Sequence, residues 1–174
     1  MGAVLMRQSP AGPAPAPVPG LETAILRVVQ ESFLELPKGV AQLKVGRVPG
    51  HADWPNPYFE LTPGNPNAAT FRGTVVESDL NLTVGQRATR EFVGFARGGT
   101  ILRGRSPEEE FRSIWDAVIA GGFTEELRYW RQRILASRAK IRLSDIELEF
   151  GYAEWAVLHF LLKCEKRAIL YEPY

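Results

Sequence analysis

Over residues 58–95 the chain alternates apolar and polar positions in short runs, each cut off by turn-forming residues, and no pattern of catalytic side chains is laid over it. A period of two is the signature of strands with one buried face, so this stretch commits the chain to a sheet. Tyr58-Phe59-Glu60-Leu61 is strand-like and ends at Thr62-Pro63-Gly64-Asn65-Pro66, where turn chemistry at nearly every position predicts a reversal. Residues 69–76 and 80–84, joined by Glu77-Ser78-Asp79, predict a β-hairpin with Leu80, Leu82 and Val84 on one face and Asn81 and Thr83 on the other. Gly85 then precedes a further strand over residues 87–95, closed by Gly98-Gly99.

Helices frame this region. Leu21, Ile25, Val28, Val29, Phe33 and Leu36 fall at three- and four-residue spacing ahead of Pro37 and Gly39, predicting an amphipathic helix from Leu21 to Glu35. Ser106-Pro107-Glu108-Glu109 is a capping box with proline at the first helical position, and the helix it opens runs to Ala120 with Phe111, Ile114, Trp115, Val118 and Ile119 on its apolar face. Gly121-Gly122 stops it. Between the first helix and Tyr58 there is room for one strand, residues 40–48, and then Pro49, Gly50, Pro55 and Pro57 predict a loop around Trp54. Beyond Phe123, Leu127, Trp130, Ile134 and Leu135 suit a helix, yet residues 140–150 alternate as strands, and strands are the favoured reading. Residues 155–166 fit either helix or buried strand; residues 167–171 read as a last strand. The five prolines in residues 9–20 predict an extended tail.

At 174 residues the chain can bury most of its apolar surface in one domain without disulfides or metal. Its 45% hydrophobic and 24% charged content is that of a folded protein. A formal net charge of +1 provides no broad field to gather nucleic acid or anionic lipid, so overall electrostatics select no partner. The single cysteine, Cys164, has no internal disulfide partner and lies beside Leu161 and Leu162, which points to a reducing, cytoplasmic setting. Residues 1–6 lack the apolar block and cleavage site of a secretion signal, and Met6 stands where an acylation pattern wants Ser or Thr. The longest apolar run, residues 155–162 interrupted by His159, falls short of the ~20 residues that cross a bilayer, so no membrane association is expected.

Little in the chain is arranged for chemistry. The only histidines are His51, in the proline-flanked loop, and His159; on a helix, His159 and Cys164 would point about 140° apart, too far for a thiol dyad. One cysteine and two distant histidines cannot build a structural zinc site, and His51 with Asp53 makes only a weak metal pair. Glu108, Glu109 and Glu110 suit the first turn of a helix by its dipole alone. Glu147 and Glu149 share a strand face and are the candidate acid and base, although alternation with Ile146, Leu148 and Phe150 equally describes a solvated face. Arg97-Gly98-Gly99 and Arg103-Gly104-Arg105, just ahead of a helix start, offer guanidiniums and backbone amides to an anion. Arg128, Arg131, Arg133, Arg138, Lys140 and Arg142 form a basic stretch with Tyr129 and Trp130 inside it, the composition of either a nucleic-acid surface or a solvated sheet face.

These readings converge on an α+β fold, a largely antiparallel sheet of short strands covered by two or three helices. It forms a single domain over residues 21–174, behind a tail of residues 1–20. No cofactor is expected. The leading functional reading is a non-enzymatic module that binds a partner protein, or itself as a dimer, through the sheet edge and the aromatic loop, with Asp53, Trp54 and Tyr58 as contact residues. A second reading is a small hydrolase or transferase acting on an anionic substrate, with Arg97, Arg103 or Arg105 holding charge and Glu147 or Glu149 moving protons. A third is nucleic-acid binding through the basic stretch.

Overall fold

Alternation translates into burial strand by strand. In a computed structural model that describes residues 20–48, 56–92, 104–143, 146–153 and 164–174, β4 (Asp79–Val84) buries Leu80, Leu82 and Val84 and leaves Asp79, Asn81 and Thr83 half-buried. β2 (Asn56–Pro63) buries Phe59 and Leu61, and β3 (Phe71–Val76) buries Phe71 and Val75. With β1 (Ala41–Val48) and β5 (Ala88–Phe92) these strands form an antiparallel meander in chain order. The hairpin between β3 and β4 turns on Glu77 and Ser78 alone, with Val76 opposite Asp79 and Glu77 at φ 54°. The Pro/Ala-rich tail, the loop with Trp54, the Gly98-Gly99 segment and the ambiguous apolar run before Cys164 lie outside the described residues.

The two expected helices form where their patterns put them. α1 (Leu21–Glu35) buries Leu21, Ile25, Val28 and Val29. α2 (Pro107–Ala120) starts in the capping box: Ser106 Oγ accepts from the Glu109 N–H at 3.3 Å while the Glu109 carboxylate accepts from the Ser106 N–H at 2.8 Å. That cap holds the Glu109 carboxyl below its ordinary value. Exposed ion pairs link the helices, Arg112 to Glu31 at 3.1 Å and Arg27 to Glu108.

Residues 124–143, where helix and strand patterns competed, are strand: β6 (Thr124–Trp130) and β7 (Arg133–Leu143) make a hairpin. Ile134-Leu135, the adjacent apolar pair that spoiled the alternation, flanks a bulge, because Arg128 pairs with Ala136 and Tyr129 already with Ile134. β8 (Ile146–Ala153) follows β7 antiparallel, and β9 (Glu165–Leu170) pairs with β6. The described strands form one nine-stranded sheet in the order β1-β2-β3-β4-β5-β8-β7-β6-β9, with every neighbouring pair antiparallel.

One hydrophobic cluster takes residues from both helices and from strands of both halves of the sheet. Phe59 stands edge-on to Phe71 at 5.4 Å and to Phe111 at 5.7 Å, and Phe71 edge-on to Trp115 at 5.8 Å. The face of the sheet bearing these rings is called inner below. The opposite, outer face carries Lys44, Tyr58, Glu60, Arg72, Asn81, Thr83, Arg138, Lys140, Glu147 and Glu149, polar in the manner of an antiparallel sheet with one wet side.

Candidate functional site

Most of the ionisable groups that the sequence offered as chemistry are tied to one another in the structure. Glu149 and Glu147 project from the outer face of β8, exposed, and pair with Arg138 and Lys140 of β7 at 2.6 Å each. The hydrogen bond from Arg138, with its charge, holds the Glu149 carboxyl below its ordinary value. A general acid at neutral pH needs the opposite shift. Arg105 donates to Ser113 Oγ on α2 at 2.6 Å. Glu149 projects from the face opposite Leu148 and Phe150. Glu147 lines a depression with Ala117 and Ala120 at the C-terminal end of α2, whereas Arg105 precedes the N-terminus of that helix, about 18 Å away along its axis. The structure therefore does not bring Arg105 together with either glutamate. Arg97 and Arg103 lie outside the described residues, as do His51 and His159.

Part of the basic stretch is likewise neutralised, along β6 and between β7 and β8. Arg128 pairs with Glu126 at 3.3 Å, and Arg138 and Lys140 with the β8 glutamates. Its two aromatic rings already carry guanidiniums, Arg167 over Tyr129 at 4.9 Å and Arg131 over Trp130 at 4.6 Å. Cations matched by carboxylates and rings covered by arginine describe a solvated face better than a surface awaiting phosphates and bases. A shallow depression of about 470 Å³ on this face, floored by Ala136, Gly151 and Ala153, is rimmed by the same self-paired charges. Among the described residues no three His, Cys, Asp or Glu side chains are grouped to hold a metal ion, and no helix is long and apolar enough to cross a membrane.

The most constrained polar group was missed in the sequence. Glu125 of β6 is fully buried and accepts five hydrogen bonds: from the backbone N–H of Gln86 (2.8 Å), Arg87 (3.1 Å) and Ala88 (3.2 Å), from Ser137 Oγ, and from the Tyr171 hydroxyl (2.6 Å). It was legible in principle, because Phe123, Glu125 and Leu127 share one phase of a strand and a carboxylate among core positions needs a reason. The reason is visible in the sheet. β5 and β8 meet at one register pair, Thr89 opposite Gly151, and Glu125 ties the β4–β5 turn to the other half. Gly85 of that turn has φ 69°, and a Cβ there would meet the Tyr171 hydroxyl at 2.6 Å and the Glu125 carboxylate. Fully buried and accepting at both oxygens, this carboxylate is a fastener.

Of the expected contact residues, Asp53 and Trp54 lie outside the described residues, and Tyr58 sits on the outer face of β2. Its ring occupies the space a side chain at Gly46 would need, 2.8 Å from an ideal Cβ, with Lys44 Nζ 5.9 Å from the ring centre. β1 ends the sheet. The residues at the two ends of its loop to β2, Val48 and Asn56, are paired. Gly64 N–H donates to the Val40 carbonyl at 2.7 Å in the same register that sets Ala41 opposite Pro63, which fixes the phase of the ladder. Gln42, Lys44 and Gly46 turn their backbone groups to β2, and Ala41, Leu43, Val45 and Arg47 turn theirs outward. Pro57 and Pro63 stand opposite Arg47 and Ala41, where β2 need not donate to β1. No described strand pairs with the outward side. Of the four large apolar residues exposed in the described structure, Val45 (40%) and Leu34 at the end of α1 (82%) belong to this end of the molecule, and Trp130 of β6 and Leu170 of β9 to the other. Compared with protein-family models, curated proteins and solved structures, the chain matches none of them.

Proposed function

We propose that the protein is a non-catalytic association module that docks a protein partner along the outward side of β1 and the adjoining loop carrying Asp53 and Trp54, with Tyr58 at its base. In this reading α1 and α2 cover the inner face of the sheet, the outer face stays wet, and the β1 edge is the working surface; no cofactor takes part, and the single cysteine fits a reducing compartment such as the cytoplasm. The observation that carries it is the row of backbone N–H and C=O groups that Ala41, Leu43 and Val45 of β1 turn away from β2, where no described strand pairs, with the exposed side chains of Val45 and Leu34 nearby. An edge strand is a ready template for another strand, with main-chain bonds giving affinity and alternate side chains giving selectivity. Light scattering and affinity capture on the full chain, comparing wild type with Trp54→Ala, Tyr58→Ala and Val45→Pro, test the reading. Association should weaken in Val45→Pro and in at least one aromatic variant; association unchanged in all three overturns it.

A further inference from the structure

We infer that the strand docked on β1 is the β1 of a second copy, antiparallel to it about a two-fold axis at Val45, so that the two sheets run on as one. This rests on the edge reading above and makes it specific. Because only Ala41, Leu43, Val45 and Arg47 direct backbone groups outward, a self-pair must bring odd-numbered residues opposite odd-numbered ones to form its hydrogen bonds. That leaves few registers. With the axis at Leu43 the strands overlap only over residues 41–45. With the axis at Lys44 they overlap further but set two ammonium groups face to face, and like charges directly opposite are destabilising. With the axis at Val45 they overlap over residues 42–48, the two Val45 residues exchange both backbone bonds, and each Lys44 falls opposite the partner's Gly46.

That last pairing is the one the side chains favour. Gly46 presents no side chain, and the Tyr58 ring lies in its place, so each Lys44 ammonium reaches an aromatic face on the partner as it does on its own subunit. On the inner side, Val45 meets Val45 and Leu43 lies across from the aliphatic stem of the partner's Arg47, which covers the exposed apolar strip. The other end of the sheet is a poorer candidate. β9 exposes Leu170 but carries Glu165, Lys166 and Arg167 in six residues, the charged edge that discourages pairing. The chain that leaves it is already bonded, Glu172 bridging to Ala68 and accepting from Asn65 and Asn67.

Sedimentation equilibrium on the full chain should show a concentration-dependent dimer. Val45→Pro deletes an outward donor and leaves the β1–β2 ladder whole, and should weaken the dimer at least about tenfold; Val45→Lys, which opposes two charges on the axis, should do the same and serves if circular dichroism shows the proline variant misfolded. The register has its own test in a Cys164→Ser background. Hydrogen-bonded residues of an antiparallel pair stand about 5.5 Å apart at Cα, within disulfide range, so Val45→Cys should oxidise to a covalent dimer and Gln42→Cys, which falls opposite Val48, should not. A chain monomeric at all concentrations, or cross-linking no faster at Val45 than at Gln42, overturns the inference. If such a monomer still captured another protein and lost it in Val45→Pro, the edge reading would stand without the second copy. Indifference of every association to Val45→Pro and to both aromatic variants sinks the edge reading itself.

Discussion

The two ends of the sheet are finished in opposite ways. The chain that leaves β9 is tied back: the Tyr171 amide donates to the Phe123 carbonyl at 3.1 Å, Gly122 N–H donates to the Tyr171 carbonyl at 3.1 Å, and Tyr174 N–H donates to the Ile119 carbonyl at 3.1 Å. The Tyr174 hydroxyl donates to the Ala69 carbonyl. At the other end β1, like β9, has one described neighbour and leaves a large apolar side chain in solvent, Val45 against Leu170 on β9; what differs is that β9 opens with three charged residues and runs into a chain tied back to the fold. The contrast assigns the buried polar groups to construction, since they close a sheet whose two halves share one described register pair, and leaves the β1 edge as the surface on which stability depends least.

Glu125→Ala is the largest test of that division. It strips the acceptor from three backbone amides and two hydroxyls at once, leaving buried donors without partners, and should cost about 3–5 kcal/mol by urea denaturation. Glu125→Gln keeps the shape but presents an amide NH2 where three backbone N–H groups and two hydroxyls now donate; the hydroxyls can turn to accept and the backbone groups cannot, so it should recover only part of the loss. A cost below about 1 kcal/mol for Glu125→Ala would mean that water reaches this end after all, and the distinction between a fastened and an open end would collapse.

A smaller effect comes from Tyr171. Burial, and then its hydrogen bond to Glu125, push its phenol well above the ordinary value of 10, and burial does the same to Tyr174. A raised native pKa contributes stability that is fully present below pH 10 and is lost as pH climbs, because the unfolded chain then releases protons that the native chain retains. Above pH 10 stability should fall by about 1.4 kcal/mol per pH unit for each such tyrosine. Tyr171→Phe should cost about 1–2 kcal/mol at neutral pH and make the alkaline decline shallower by one tyrosine's share. An unchanged slope would show that this phenol ionises freely in the native state.

Local patterns foretold local structure well. The capping box at Ser106 and the alternation of Leu80, Leu82 and Val84 each involve a handful of neighbouring residues, and each formed as read. What the sequence hid is non-local. Glu125 is bonded to residues 37–39 positions away and 46 positions away, and nothing near it announces those partners. The bulge at Leu135 imitates a helical spacing because one extra residue shifts the phase of a strand by half its period. Glu147 and Glu149 could be read as catalytic or solvated only until their cross-strand partners were known; register, which one sequence does not reveal, put Arg138 and Lys140 beside them. The contact loop is legible only in part, since Tyr58 is seated beside β1 whereas Asp53 and Trp54 lie outside the described residues.

The smallest predicted effect is the sharpest check on the open end. Val45→Thr keeps the β-branched shape and the outward N–H of β1 and exchanges one exposed methyl for a hydroxyl, so at low micromolar concentration, where the chain should be monomeric, it should change stability by less than about 0.5 kcal/mol. At high concentration the outcome should differ. If Val45 packs on Val45 across a two-fold axis, wild-type stability rises with protein concentration by mass action, and the threonine variant should gain less from the same increase. Melting curves recorded across a concentration series read both quantities in one experiment. A loss at low concentration as large as that of Tyr171→Phe would show that the β1 edge is built into the fold as firmly as the end closed by Glu125, and the asymmetry between the two ends would be gone.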